Sequence, residues 1–241
     1  MCNKADFDIN IIITTFPLYL SGLGTTLQLV AIALASGMLL ALPLGVIRAV
    51  NYPYLGRMVG AYTYFFRSTP MLVQLMAVYY GFGQFKWMQD AWNAEHPFWL
   101  LFREPYFCAC LAFTLNTTAY TTEIIAGAIR NSPTGEIEAA KAMGMSWGLR
   151  MRRIILPGAF RRMMQSYSNE VILMLQGSAI ASAVTLTDLT GAGRTVYARF
   201  YAPFEAFIFT GLLYLVLTFV VLGLFKLAER KWLAHLRPRG A

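Results

Sequence analysis

A carboxylate, a phenol and an amide stand at intervals of three and four residues in the run LNTTAYTTEIIAGAIR, at Glu123, Tyr120 and Asn116. On a helix that spacing puts them on one face. Such a face could hold the ammonium or guanidinium of a small cation, or it could pair with a basic residue of the chain itself. Glu123 is the only formal charge between Tyr106 and Ile129, and an ionisable group in so apolar a stretch is costly and marks a pathway or a partner. A second carboxylate, Asp188, closes the uncharged stretch Val171–Thr187 in TLTDL and could meet a molecule arriving at that end. Glu170, at the other end of the same stretch, is expected to pair with Arg161 or Arg162. Arg67, beside Ser68-Thr69-Pro70, is expected to mark a local helix break.

The other stretch with chemistry in it is GEIEAAKAMGMSWGLRMRRIILPGA, residues 135–159. It predicts two short helices. Ser132 supplies an N-cap and Pro133 the first helical position. Glu136 and Glu138 follow in the early turns, where the helix dipole favours carboxylates. Ile137, Ala140 and Gly144 recur at three and four residues as a narrow, smooth face, and Gly144 ends or bends the helix. Ser146 is placed to cap a second helix carrying Arg150, Arg152 and Arg153, which Pro157 is expected to halt. Two roles fit equally on these grounds: a docking knob for another protein, or an amphipathic loop lying on a membrane.

Several chemistries lack their residues. No G-x-x-x-x-G-K-[ST] phosphate loop occurs, and the glycines of TGAGRT (190–195) are expected to form a turn. The two histidines, His96 and His235, are expected on opposite sides of a membrane, so neither a nucleophilic triad nor a metal site is expected. Cys108 and Cys110 point to different helix faces and are expected to be small buried hydrophobes.

The elements that must position these residues are membrane spans. The 241 residues are 57% hydrophobic and 13% charged, half the charge of a soluble domain. Uncharged runs cover Ile9–Ile47, Ser68–Phe85, Val171–Thr187 and Ala206–Phe225, and roughly 20 residues cross the hydrocarbon. The expected fold is an all-α integral membrane protein with five transmembrane helices near residues 23–47, 59–84, 106–130, 169–187 and 206–227. Pro17 and Ser21–Gly24 are expected to split the first run, leaving 1–22 as a periplasmic or interfacial segment. Residues 23–228 then form the transmembrane domain, with a loop at 131–165 between helices 3 and 4 and a basic tail at 229–241 anchored by Trp232. Of the 20 Lys and Arg, 15 fall on one side of this arrangement and five on the other, which places the N-terminus outside and the loop and C-terminus in the cytoplasm. Small residues at Gly22, Gly24, Ala33, Ser36 and Gly37 allow close helix approach.

Glu138-Ala139-Ala140, three residues, Gly144, nine residues, then Ile154-Ile155-Leu156-Pro157 resembles the EAA loop of ABC importer permeases. FRSTPMLVQ (66–74), LNTTAYTTEIIAGAIRNSPTGEIEAAKAMG (115–144) and YSNEVILML (167–175) are similar to the polar and basic amino-acid branch, in particular its M-type permeases. Ser68, where relatives usually carry Gly, and Gln176-Gly177, where many carry Lys or His followed by Ser, depart from that pattern. The resemblance implies an inner-membrane permease subunit, not itself an enzyme, whose coupling loop (Glu138, Ala139, Ala140, Gly144, Ile154, Leu156 and Pro157) docks a cytoplasmic ATPase. It implies no cofactor on this chain, ATP and Mg being bound by two copies of that ATPase. Further expected partners are a paired permease and a periplasmic amino-acid-binding protein, with arginine, ornithine, lysine, histidine or an opine as substrate. The rival readings are an ion-gradient-driven transporter, against which the lack of an internal repeat counts, and a non-transporting scaffold that docks an ATPase.

Overall fold

A computed structural model describes residues 8–232, and every regular element among them is helical. In chain order these are α1 (Ile9–Val50), α2 (Leu55–Ser68), α3 (Met71–Met76), α4 (Lys86–Asn93), α5 (Pro97–Leu100), α6 (Pro105–Arg130), α7 (Thr134–Ala142), α8 (Trp147–Arg150), α9 (Leu156–Gly177), α10 (Leu189–Phe200) and α11 (Pro203–Trp232). Most of the tail at 229–241 lies outside the described residues, as do Lys4 and His235. Ile9–Val50 and Pro203–Lys231 are each long and apolar enough to cross a membrane. Pro97–Arg103 with Pro105–Arg130, and Trp147–Val184 with Leu189–Phe200, reach that standard as pairs bent by 87° and 49°. Along α11, Phe204, Ile208, Leu212, Leu215 and Phe219 are all exposed. In water so large an apolar surface is a liability; against lipid it is the expected outer face.

The expected break beside Arg67 is present. α2 ends at Ser68, Thr69 turns extended (φ −105°, ψ 142°) and Pro70 opens α3. The division expected at Pro17 and Gly24 is not: α1 runs through both as one helix. Packing overrides the proline, because Ile11 before it and Leu18, Tyr19 and Leu23 after it all join one cluster.

The chain divides into two compact units. The first comprises Met1–Ala33, Pro70–Thr114 and Leu173–Phe219. Its core gathers Tyr19, Leu189, Ala192, Val196 and Ala206. The Tyr19 hydroxyl donates to the Ala206 carbonyl at 3.1 Å, and its ring meets Phe209 edge-on at 4.8 Å. A Cβ on Gly22 would lie 2.7 Å from the carbonyl oxygen of Asp188, so glycine is there for close approach. Gly24, by contrast, faces open space. Gly22→Ala is therefore expected to destabilise by about 1–3 kcal/mol through forced backbone shifts. Thermal unfolding of the purified variant in detergent checks this, with Gly24→Ala as the unchanged control. An aromatic cluster around Trp99 and Phe102 completes the unit, with the Trp92 indole donating to the Trp99 carbonyl at 2.7 Å.

The second unit comprises Leu34–Thr69, Leu115–Ile172 and Val220–Ala241. Its core sets Ala41 of α1 and Ile125, Ala128 and Ile129 of α6 against Met151, Ile155, Ala159 and Met163. Those last four positions recur at intervals of four, so a single stripe of α9 and the turn before it faces inward.

Candidate functional site

In the second unit the loop after α6 is built as two helical pieces joined at Gly144. α7 ends in a Schellman motif: the Gly144 amide donates to the Lys141 carbonyl at 2.9 Å and the Met145 amide to the Ala140 carbonyl at 3.1 Å. That closure needs a left-handed residue, and Gly144 has φ +73°. Of the smooth face, Ile137 and Ala140 turn inward and Gly144 stays exposed. Ala140 is buried and Ile137 packs on the core, while Glu136, Glu138, Ala139 and Met143 are exposed. The outward surface is thus offset from the stripe expected to be presented.

Two caps differ from expectation. α7 begins at Thr134 with Pro133 as its cap residue, without a side-chain cap bond. The Ser132 hydroxyl instead accepts from Arg162 Nη2 at 2.6 Å. Ser146 does stand at the cap position of α8 in extended conformation, again without a side-chain bond. Pro157 does not halt a helix. α8 passes through a π-helical turn, Met151–Ile155, into α9, where Pro157 is the second residue. Pro157 brings no amide to the helical ladder, and the π turn before it accommodates the change of register. Ile155 is buried, Ile154 and Leu156 are half-buried and Pro157 is exposed. Arg162 Nε donates to the Ala128 carbonyl at 3.2 Å. Together with its bond to Ser132, this ties α9 to the end of α6 and the start of the loop.

The polar face of α6 is turned to α2. The Asn116 amide donates to the Phe66 carbonyl at 3.4 Å and the Tyr120 hydroxyl to the Arg67 carbonyl at 3.4 Å, with the Arg67 guanidinium 5.3 Å from the Tyr120 ring centre. Glu123 Oε1 accepts from Arg48 Nε at 2.8 Å and from the Thr63 hydroxyl at 2.7 Å. Gly60, one turn before Thr63, makes room: a Cβ there would sit 3.1 Å from Arg48 Nη1. Arg130 Nη2 donates to the Arg48 carbonyl at 2.6 Å, where a cation meets the negative end of α1. Of the two roles open to this carboxylate, the structure shows the pairing with a basic residue of its own chain.

Glu170 is buried and accepts from the Thr117 hydroxyl at 2.9 Å, while Arg162 is taken up by Ser132 and Ala128. The donor that the structure gives Glu170 is thus a neutral hydroxyl from α6. The hydroxyls of Thr121 and Thr122 are buried without a partner among the described residues.

Asp188, in the first unit, is fully buried. Its Oδ1 accepts from the Gly191 amide at 2.8 Å, which makes it the N-cap of α10. The Leu189 amide donates to Thr26 Oγ1 at 3.0 Å. TGAGRT is accordingly the first turns of a helix rather than a separate turn. The aspartate before it is the capping signal that sequence reasoning passed over. Asp188→Ala is expected to cost about 1 kcal/mol, measurable as a lower Tm, and Asp188→Asn much less.

Cys108 is buried and Cys110 half-buried, both as free thiols. No group of His, Cys, Asp or Glu arranged for a metal occurs among the described residues. The partners of Glu123 were not legible in sequence, since Thr63 and Arg48 lie 60 and 75 residues away.

Apolar helices fit to cross a membrane, with a polar helical loop pinned to the end of α6, define an all-α membrane protein. The chain belongs to the family of binding-protein-dependent transport system inner membrane components, whose pattern matches residues 37–233. It is 42% identical to the nopaline transport system permease NocM of Agrobacterium fabrum, over 96% of this chain and 95% of that one. It is 43% identical to the histidine/lysine/arginine/ornithine transport system permease HisM of Escherichia coli, over 90% of each. Identity to the octopine permease OccM of Rhizobium radiobacter is 40%, over 92% and 89%. A crystal structure of an amino acid ABC transporter with histidines superposes with a TM-score of 0.80 at 28% identity, covering 95% of this chain and 100% of that one. The MetNI methionine ABC transporter shares the fold, at a TM-score of 0.73 and 21% identity over 89% and 96%.

Proposed function

We propose that this chain is the permease subunit of an ATP-driven importer that moves basic amino acids or opines across a bacterial inner membrane. The observation that carries the reading is the 40–43% identity, over nine-tenths of the chain or more, to permeases of nopaline, octopine and histidine/lysine/arginine/ornithine systems. Transport proceeds by alternating access. Closure of a separate ATPase on ATP moves the loop at 131–165, and the loop moves the helices to which Arg162 and the Met151–Met163 stripe bind it.

Within this proposal the chain crosses the membrane five times, the fifth crossing being the broken α2–α3 region, with the N-terminus outside and the loop in the cytoplasm. The paired permease, two ATPase copies and a periplasmic binding protein complete the complex, and ATP and Mg belong to the ATPase. Glu138, Ala139, Ala140, Gly144, Ile154, Leu156 and Pro157 form the coupling element. Ala140 acts from inside it, as a spacer against the core. Substrate contact by Asn116, Tyr120, Glu123 or Asp188 requires an exchange of partners during the cycle, because each holds a group of this chain in the state described.

The test is uptake of labelled arginine, histidine and glutamine into proteoliposomes. They contain this chain with its paired permease and ATPase, ATP inside and the binding protein outside. Uptake of the cationic amino acids that needs both ATP and the binding protein is expected. Uptake driven by an imposed ion gradient without ATP would overturn the assignment.

A further inference from the structure

Beside the coupling element, a groove of about 300 Å³ opens between α7 and the start of α9. Arg153, Arg161 and Arg162 line it against a single carboxylate, Glu136. Three guanidinium groups against one carboxylate leave the groove with an excess of positive charge. Its shape is fixed by the fold. Gly158 forms part of the wall, where a Cβ would come 2.9 Å from Arg162 Nη1, so glycine lets that guanidinium lie close against the backbone. Arg162 is locked by its bonds to Ala128 and Ser132 through Nε and Nη2. An arginine carries five N–H donors in a rigid fork, so the Nη1 end is left for another acceptor.

A lipid headgroup does not fit the position. α9 is continuous from Leu156 to Gly177, and the uncharged stretch begins at Val171. Nine residues separate Arg162 from Val171, or about 14 Å along the axis at 1.5 Å per residue. A tilt of about 40° still leaves roughly 10 Å, whereas the headgroup layer is only about 5–8 Å deep. Arg153 and Glu136 lie further along the chain from that boundary. The groove faces water, next to the surface offered to the ATPase.

We propose that this arginine groove is the half of the docking interface that receives an acidic side chain of the ATPase. Planar guanidinium groups match carboxylate in a bidentate fork, and such pairing fixes the register of a helix that must transmit motion. The inference rests on the permease reading above. It adds to that reading the chemistry of the partner's contact and three residues, Arg153, Arg161 and Arg162, outside the coupling element already assigned.

The test titrates the ATPase onto the permease pair in nanodiscs at several salt concentrations. Arg153→Glu with Arg161→Glu is expected to weaken binding on the order of tenfold or more and to flatten its salt dependence. Arg153→Gln should do so in part. Arg150→Glu with Arg152→Glu, an equal change of charge outside the groove lining, should leave affinity within about threefold. Recovery of affinity when one Asp or Glu on the ATPase docking face is changed to Lys would identify the pairing. Equal effects of the groove double variant and of Arg150→Glu with Arg152→Glu would overturn the inference. So would displacement of the ATPase by millimolar inorganic phosphate at matched ionic strength, which would make the groove a small-anion site. Absence of ATPase binding by the unaltered pair would remove the permease reading itself, whereas binding that ignores the groove removes only this inference.

Discussion

Replacing Gly144 by valine is expected to abolish ATP-coupled uptake while the chain still inserts and assembles. No atom lies within 4 Å of a Cβ built there, so the cost comes from the backbone rather than from a clash. Gly144 sits at φ +73°, a conformation that costs an L-residue roughly 1–2 kcal/mol and a β-branched one more. The chain can escape that strain by unwinding the end of α7, which breaks the Met145–Ala140 and Gly144–Lys141 bonds and re-aims Glu138, Ala139 and Met143. Folding of the rest depends on the Ile125–Met163 core and is largely spared. Uptake should therefore fall in the order Gly144, Asn, Ala, Val, because asparagine tolerates the left-handed region best of the replacements. Uptake and ATP hydrolysis measured side by side in proteoliposomes decide the matter. Normal uptake by Gly144→Val would show that the angle between the two helical pieces is irrelevant to coupling.

The second large effect is expected at the Arg48–Glu123 pair. Their side chains are 29% and 19% exposed, so the pair is only partly desolvated and its loss should cost about 1–3 kcal/mol. Arg48→Met is expected to be worse than Glu123→Gln, because it leaves a carboxylate in an apolar surrounding with Thr63 alone as donor. The double variant Arg48→Met with Glu123→Gln should recover part of the loss, since neither charge then remains unpaired. A double-mutant cycle on thermal unfolding of the purified complex reads this coupling. Uptake by Glu123→Gln is expected to fall alike for arginine and glutamine, as it would for a pair that holds α1, α2 and α6 in register. Unchanged stability with a selective loss of arginine uptake would instead give the carboxylate to the substrate.

Local grammar carried the loop. The positive-φ glycine at 144, the helix after Ser146 and the interruption at Thr69-Pro70 each follow from the properties of one or two residues, and all three stand in the structure. Signals of the same local kind failed where packing outweighed them. Pro17 lies inside α1 because residues on both sides of it bury into one cluster. Pro157 lies inside a continuous helical run because the π turn before it absorbs the register change.

By itself, then, the sequence determined the class of the protein. Its uncharged runs demand helices whose backbone groups are satisfied internally in lipid, and the polar stretch at 135–159 must lie outside that environment. Only the tertiary structure decided who meets whom. Arg48 and Glu123 are 75 residues apart, Thr117 and Glu170 are 53 apart, and no periodicity encodes such pairings. The same holds for the inward turn of Ala140. A helix's pattern states which residues share a face, but the neighbour that covers the face is chosen by the packing of the whole chain.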